Sequence, residues 1–373
     1  MPIAGDIDFL VQWHITEQCN LHCSHCYQSG SAGSELTLPE IRDTLSEIFS
    51  MCRAWQDAYG IAAMPEFNIT GGEPLLRRDL TTILEEIAGK GHAVYLLTNG
   101  ILIDQDKARQ FVAAGVRGVQ VSLEGPEEVH DRIRGTRSFH ASLNGIAALL
   151  DAKMPVTVNT TLSRMNADVF FELARQMSAL GVPRLGYSRL VPSGRGAGLV
   201  GQMLGTDEVQ RLYERVNEFP SNGLEFVSGD PVGAQMRATA PVRLDRVVPC
   251  GGCAAGVSGI TILSDGTLVP CRRMPLPLGN VRSDSLREVW SASPVLEALR
   301  DRSRYGGKCG RCERWSDCRG CRAIAYAASQ AWGKPDMLAE DPQCFIDIDD
   351  PKKANGTQKD RMKADESRIK VHQ

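Results

Sequence analysis

No stretch of this sequence approaches the roughly 18 consecutive apolar residues of a membrane-spanning helix. The opening residues, "MPIAGDIDFLVQW", have neither a basic start nor the apolar core of a secretory signal. No membrane role and a cytoplasmic location are therefore expected. Charge of one sign is also lacking: 42 Lys and Arg face 45 Asp and Glu, a net of −3. That balance gives no general pull toward nucleic acid or an anionic membrane. Cysteine is missing from the whole stretch between Thr70 and Pro249, although the chain holds 12. In the expected compartment such residues serve as metal ligands or redox groups more readily than as disulfides.

What is present is 373 residues of ordinary globular composition, 42% apolar and 23% charged. That length suits two domains, or one large domain with an appendage, and needs no staples to build a core. From residue 8 to about 220, short apolar runs alternate with longer amphipathic ones. Strands are expected at 9–16, 66–70, 93–98, 118–123, 155–162 and 184–191. Helices are expected at about 38–53, 78–89, 104–114, 140–152, 167–179 and 206–219, with Thr37 and Asp104 as caps. Six strand–helix units imply an α/β fold, either a partial (βα)6 TIM-like barrel or a doubly wound sheet. Both place the active site at the C-terminal ends of the strands.

The unusual residues sit at those ends. After the first strand, "TEQCNLHCSHCYQ" holds Cys19, Cys23 and Cys26 in a C-x3-C-x2-C spacing. "GGEP" follows the second strand, "TNG" the third, and "SLEG" closes the fourth. Three thiolates with His22 or His25 would make a zinc site. Three thiolates on a cubane iron–sulfur cluster would leave one iron open, which is a catalytic device. After residue 240 the texture changes to Gly, Pro, Cys and Arg. Eight cysteines follow: Cys250, Cys253, Cys271, Cys309, Cys312, Cys318, Cys321 and Cys344. They suffice for two four-thiolate sites, and two structural zincs would also use them. Arg272 and Arg273, beside Cys271, would bind acidic substrate groups or balance anionic clusters. Cys52 falls on the apolar face of the first helix and reads as a buried structural thiol.

The cysteine loop, with aromatic His25 before its last cysteine, resembles that of the radical S-adenosylmethionine (AdoMet) superfamily. "ITGGEP", "LLTNG" and "VSLEG" resemble that family's motifs on successive strands. The resemblance implies a [4Fe-4S] cluster on Cys19, Cys23 and Cys26. Its fourth iron would be chelated by the amino and carboxylate groups of AdoMet, and reduction would release a 5′-deoxyadenosyl radical. It further implies cofactor contacts from Gly71, Gly72, Glu73, Ser122, Asn159 and Arg189, with Glu73 accepting from the methionine amino group. The C-terminal cysteines resemble a SPASM domain, although Cys318 and Cys321 are separated by two residues where that pattern often has three. SPASM topology implies two auxiliary [4Fe-4S] clusters, for three in all. One would use Cys250, Cys253, Cys271 and Cys321, the other Cys309, Cys312, Cys318 and Cys344.

The expected organisation is a radical barrel at 1–235, an auxiliary-cluster domain at 236–349 and a disordered polar tail at 350–373. Two narrower likenesses suggest substrates. One is to enzymes that modify ribosomally made precursor peptides, here with a separate leader-binding protein. The other is to enzymes that oxidise tetrapyrrole side chains in haem and haem d1 pathways. A flavodoxin- or ferredoxin-type donor is expected to supply electrons. "GAGLVG" (Gly196, Gly198, Gly201) fits a dinucleotide fingerprint but follows the sixth strand. It is expected to be a flexible loop near the barrel mouth.

Overall fold

A computed structural model describes residues 7–28, 33–60, 62–220, 222–237 and 249–348. The expected tail at 350–373 and the boundary stretch 238–248 lie outside the described residues.

The expected strand–helix alternation is present. The strands are β1 (Ile7–His14), β2 (Ala63–Thr70), β3 (Ala93–Thr98), β4 (Gly118–Ser122), β5 (Val156–Leu162) and β6 (Arg184–Arg189). The helices are α1 (Leu38–Tyr59), α2 (Leu80–Gly89), α3 (Gln105–Ala113), α4 (Glu127–Arg134), α5 (Ser138–Asp151), α6 (Phe170–Ala179) and α7 (Thr206–Glu218). Local chemistry sets several boundaries. Thr37 and Glu40 form a reciprocal capping box at the start of α1, and Gly60 ends it at φ 66°. Asp104 caps α3 by accepting from Lys107 N–H.

β1 to β6 run parallel in order, and β7 (Glu225–Val227) continues them beyond β6. The other edge is supplied from far along the chain. β8 (Gly259–Ile262) pairs parallel with β1, and β9 (Thr267–Val269) and β10 (Gly279–Asn280) add to it antiparallel. The sheet ends in β7 on one side and β10 on the other. It is an open, partial barrel, and the segment after the expected 235/236 division extends it.

Alternation along the strands separates two environments. In β5, Val156, Val158, Thr160 and Leu162 are buried, while Thr157, Asn159 and Thr161 are only half-buried. Of the buried set, Val156, Val158 and Leu162, with Val11, Trp13, Val119 and Val121, join the main apolar core. The intervening positions Gln12, Gln120, Thr157 and Asn159 line a cavity of about 440 Å³. The parallel strands therefore present a largely polar row to the lumen, and Leu10, Ala254, Ala255, Ile260 and Ile324 complete its wall with apolar surface.

Arg189, at the end of β6, does not serve the cofactor contact expected of it. Its Nε donates to Asp230 at 2.6 Å, and Nη2 donates to Asp230 at 3.1 Å and Asp341 at 2.8 Å. Nη1 donates to Asp341 at 2.9 Å and Gln343 at 3.2 Å. All five guanidinium hydrogens are thus committed. Asp341 also accepts from the backbone N–H of Cys321 and of Gln343. The side chains of Arg189, Asp230 and Asp341 are 0%, 4% and 0% exposed. This buried clamp fastens β6 to the cysteine-rich segment. Removing the cation strands two carboxylates out of water. Arg189→Met is therefore expected to lower the unfolding free energy by about 3–5 kcal/mol, read by anaerobic urea denaturation. A loss below about 1 kcal/mol, the value of an exposed pair, would show that the clamp is solvated.

Candidate active site

The loop after β1 is held by backbone fit. Gly72 N–H donates to Thr16 O at 2.8 Å, and Glu73 N–H to Gln18 O at 2.7 Å. A Cβ on Gly71 would lie 2.4 Å from Thr16 O, and one on Gly72 only 2.2 Å from Gln18 O. Glycine is required there because the two loops touch through their backbones. On the other side, Gly196 N–H donates to Cys26 O at 2.9 Å and Arg195 N–H to Gln28 O at 3.2 Å. Arg195 Nη1 reaches Cys23 O at 3.2 Å. The stretch expected as a flexible loop is instead a 3₁₀ segment, Gly194–Gln202, that packs on the cysteine loop. Gly194 and Gly196 serve that close approach, since a Cβ would sit 2.1 Å from Tyr27 O at Gly194 and 3.1 Å from His25 O at Gly196, whereas Gly198 and Gly201 have open space.

Cys19, Cys23 and Cys26 line one cavity of about 180 Å³ at the barrel mouth, with Gly71, Gly72, Ser122 and Asn159. Cys19 is exposed, Cys26 half-buried and Cys23 buried. Burial pushes the Cys19 and Cys23 thiols up, and at Cys23 the Arg134 guanidinium opposes this. Arg134 Nη1 lies 3.9 Å from Cys23 Sγ. Three soft donors on one rim, open on the cavity side, fit an iron–sulfur cluster with one position free.

Two buried carboxylates stand behind the rim. Glu73 is 0% exposed and accepts from Thr98 Oγ1 (2.7 Å), Asn99 N–H (2.8 Å) and Leu75 N–H (3.2 Å). Burial raises its pKa against those bonds. They leave one acceptor position, on Oε2. Glu124 is taken up by His25 Nε2 (3.1 Å), Arg134 (2.6 and 2.9 Å) and Thr161 N–H (2.8 Å). Burial works to raise the Glu124 pKa, but His25 and Arg134 hold it well below the usual range. This network fastens the cysteine loop, through His25, to the end of β4. Arg134 and Arg195 escape sequence reasoning. Each is one arginine among many, and only the fold brings it to the loop.

The C-terminal cysteines gather in two places. Cys309, Cys312, Cys318 and Cys344 line one small cavity. Cys253, Cys271 and Cys321 line the lumen chamber. Cys250 is exposed, and its N–H donates to Ser316 O at 2.8 Å. Among the described residues, none of the eight is joined in a disulfide. Burial pushes Cys344 up to about 11 and Cys318 higher still. Such thiols stay protonated near neutrality, so a metal bound there would displace their protons. The donor set is wholly thiolate, as iron–sulfur ligation requires. Cys52 is buried in the main core with its pKa pushed to about 11 by burial, which suits a structural thiol. No helix among the described residues is long and apolar enough to cross a membrane.

Comparison with known proteins fits this geometry. The radical SAM superfamily model matches residues 13–177, and the SPASM iron–sulfur cluster-binding domain matches residues 253–322. The AdoMet-dependent heme synthase of Methanosarcina barkeri is 32% identical over 365 residues, covering 90% of this chain and 96% of that protein. The mycofactocin maturase MftC of Mycobacterium tuberculosis is 30% identical over 382 residues, covering 97% and 89%. Among solved structures, native anSMEcpe with bound AdoMet and Cp18Cys peptide superposes with a TM-score of 0.70 at 17% identity, covering 97% and 99%. The chain belongs to the radical SAM superfamily. Within it, this protein is an enzyme with a C-terminal SPASM domain.

Two predictions follow from the loop and its brace. Replacing Cys19, Cys23 and Cys26 together by Ala is expected to lower reconstituted iron by about one cluster's four atoms and to abolish AdoMet cleavage; unchanged iron content would contradict this. Glu73→Gln strands the N–H of Asn99 or that of Leu75, whichever faces the new amide nitrogen. It is expected to cost about 1–3 kcal/mol of stability, measured by urea midpoint, and a change below about 0.5 kcal/mol would contradict the brace.

Proposed function

We propose that this radical SAM/SPASM enzyme holds three [4Fe-4S] clusters and oxidises a ribosomally made precursor peptide. The observation that carries the reading is the full thiolate complement, disposed from the barrel mouth through the lumen wall to a second four-cysteine cavity. The clusters and AdoMet, when bound, supply reductive cleavage of the sulfonium and hydrogen abstraction from substrate.

The chain's own residues supply placement. Cys19, Cys23 and Cys26 hold the cleaving cluster. Gly71 and Gly72 let AdoMet approach the backbone, and the remaining lone pair of Glu73 Oε2 accepts from its amino group. Ser122 and Asn159, at the ends of β4 and β5, meet its polar atoms. Cys253, Cys271 and Cys321 lie on the wall of the substrate chamber, with Cys250 completing their set. Clusters held by this set and by Cys309, Cys312, Cys318 and Cys344 would supply a route for an electron leaving the substrate. A flavodoxin- or ferredoxin-type protein exchanges electrons with the enzyme, and a separate protein presents the leader of the peptide.

A second reading is oxidation of tetrapyrrole propionate side chains, favoured by the 32% identity to a heme synthase along nearly the whole of both chains. One experiment separates the two. Reconstituted enzyme is expected to hold about twelve iron atoms, as three cubanes require. It is then given AdoMet, a reductant and deuterated substrate, either the peptide encoded beside its gene or iron coproporphyrin III. Deuterium is expected in 5′-deoxyadenosine from the peptide. Deuterium from the porphyrin alone would replace the peptide reading with the second one. About eight iron atoms in a fully loaded sample would remove the third cluster.

A further inference from the structure

The mouth cavity and the lumen chamber meet at five residues that line both: Gln120, Asn159, Ser188, Arg272 and Arg273. Three are neutral polar side chains on the parallel strands β4, β5 and β6. The other two are cations, placed in the turn after β9 by the Cys271–Met274 bridge. Burying a guanidinium is costly unless an anion meets it. Arg273 Nε is buried and has no hydrogen-bond partner among the described residues. The nearby carboxylate of Asp230 is already committed to Arg189 and to the backbone N–H groups of Val232 and Gly233. Arg272 lies over the Tyr27 ring, its Cζ 5.5 Å from the centroid, and lines both cavities.

We propose that Arg272 and Arg273 form the substrate-recognition site of this enzyme and take a carboxylate. Arginine's planar fork matches a carboxylate through two parallel hydrogen bonds, while Gln120 and Ser188 add neutral donors without a competing negative charge. The pair stands between the thiolates of the mouth and those of the lumen wall. A substrate anchored there lies between the group that attacks it and the group that takes its electron. The site rests on the radical reading above, and the carboxylate has two possible sources: an acidic side chain of a peptide or a propionate of a tetrapyrrole.

The test uses anaerobically reconstituted holoenzyme saturated with AdoMet, so that the cofactor's own carboxylate is already placed. Two fluorescent probes are titrated: coproporphyrin III, and a labelled peptide bearing adjacent glutamates. Their neutral counterparts are the porphyrin tetramethyl ester and the glutamine peptide. At least one acidic probe is expected to bind, at least tenfold more tightly than its neutral counterpart. Arg273→Gln and Arg272→Gln are each expected to weaken that probe tenfold to a hundredfold, with part of the affinity restored in Arg273→Lys. Iron content is expected to equal that of wild type. Binding confined to the porphyrin names propionates as the source, and binding confined to the peptide names acidic side chains. Equal affinity for the neutral counterpart, unchanged affinity in both Gln variants, or no binding of either probe would overturn the site. Iron lost with affinity retained would make the arginines counterions of the clusters. The radical reading is checked separately, by 5′-deoxyadenosine formation in wild type; its failure would leave the binding result standing.

Discussion

The structure depends on one buried cation between two carboxylates. Arg189 ends β6, Asp230 follows β7, and Asp341 sits three residues before Cys344. The Asp341 carboxylate also holds the N–H of Cys321. A single ionic knot thus fixes the last barrel strands and members of both C-terminal cysteine sets. The opposite edge is fixed by hydrogen bonding, where β8 pairs with β1. The barrel is open as a sheet, yet the C-terminal segment grips it from both sides. That grip places Cys271 and Cys321 on the lumen wall.

The polarity of the lumen follows from the same constraint. A small closed barrel fills its interior with side chains. Here the inward positions carry Gln12, Gln120, Thr157 and Asn159, and the apolar residues of the same strands face the helices. Leu10 and Ile260 also line this space, so its wall is mixed, with the polar side chains concentrated on β4 and β5. The core between sheet and helices supplies the stability that the interior does not.

Much of this was legible in sequence, and what was not has physical reasons. The six strands and most helices carry strong periods of 2 and 3.6. The cysteine loop is local, so its spacing speaks for itself. α4 was not expected, because its eight residues are mostly charged and carry little apolar signal. β7 to β10 are two to four residues long and gain their identity from distant partners. Arg189 looked like a strand-end contact because its two carboxylates lie 41 and 152 residues away. Gly194 and Gly196 looked like punctuation of a loose loop, and only the fold reveals the backbone they must approach. Glu73 was legible as a special residue, but its bonds to Thr98 and Asn99 were not.

The central claim is that the Cys19, Cys23 and Cys26 rim leaves its open side to AdoMet. Electron–nuclear double resonance on the reduced holoenzyme tests it most directly, using AdoMet labelled with ¹⁵N in the amino group and ¹⁷O in the carboxylate. The account predicts hyperfine coupling of both labels to a reduced cluster. A sample with full iron and bound AdoMet that shows neither coupling would contradict it.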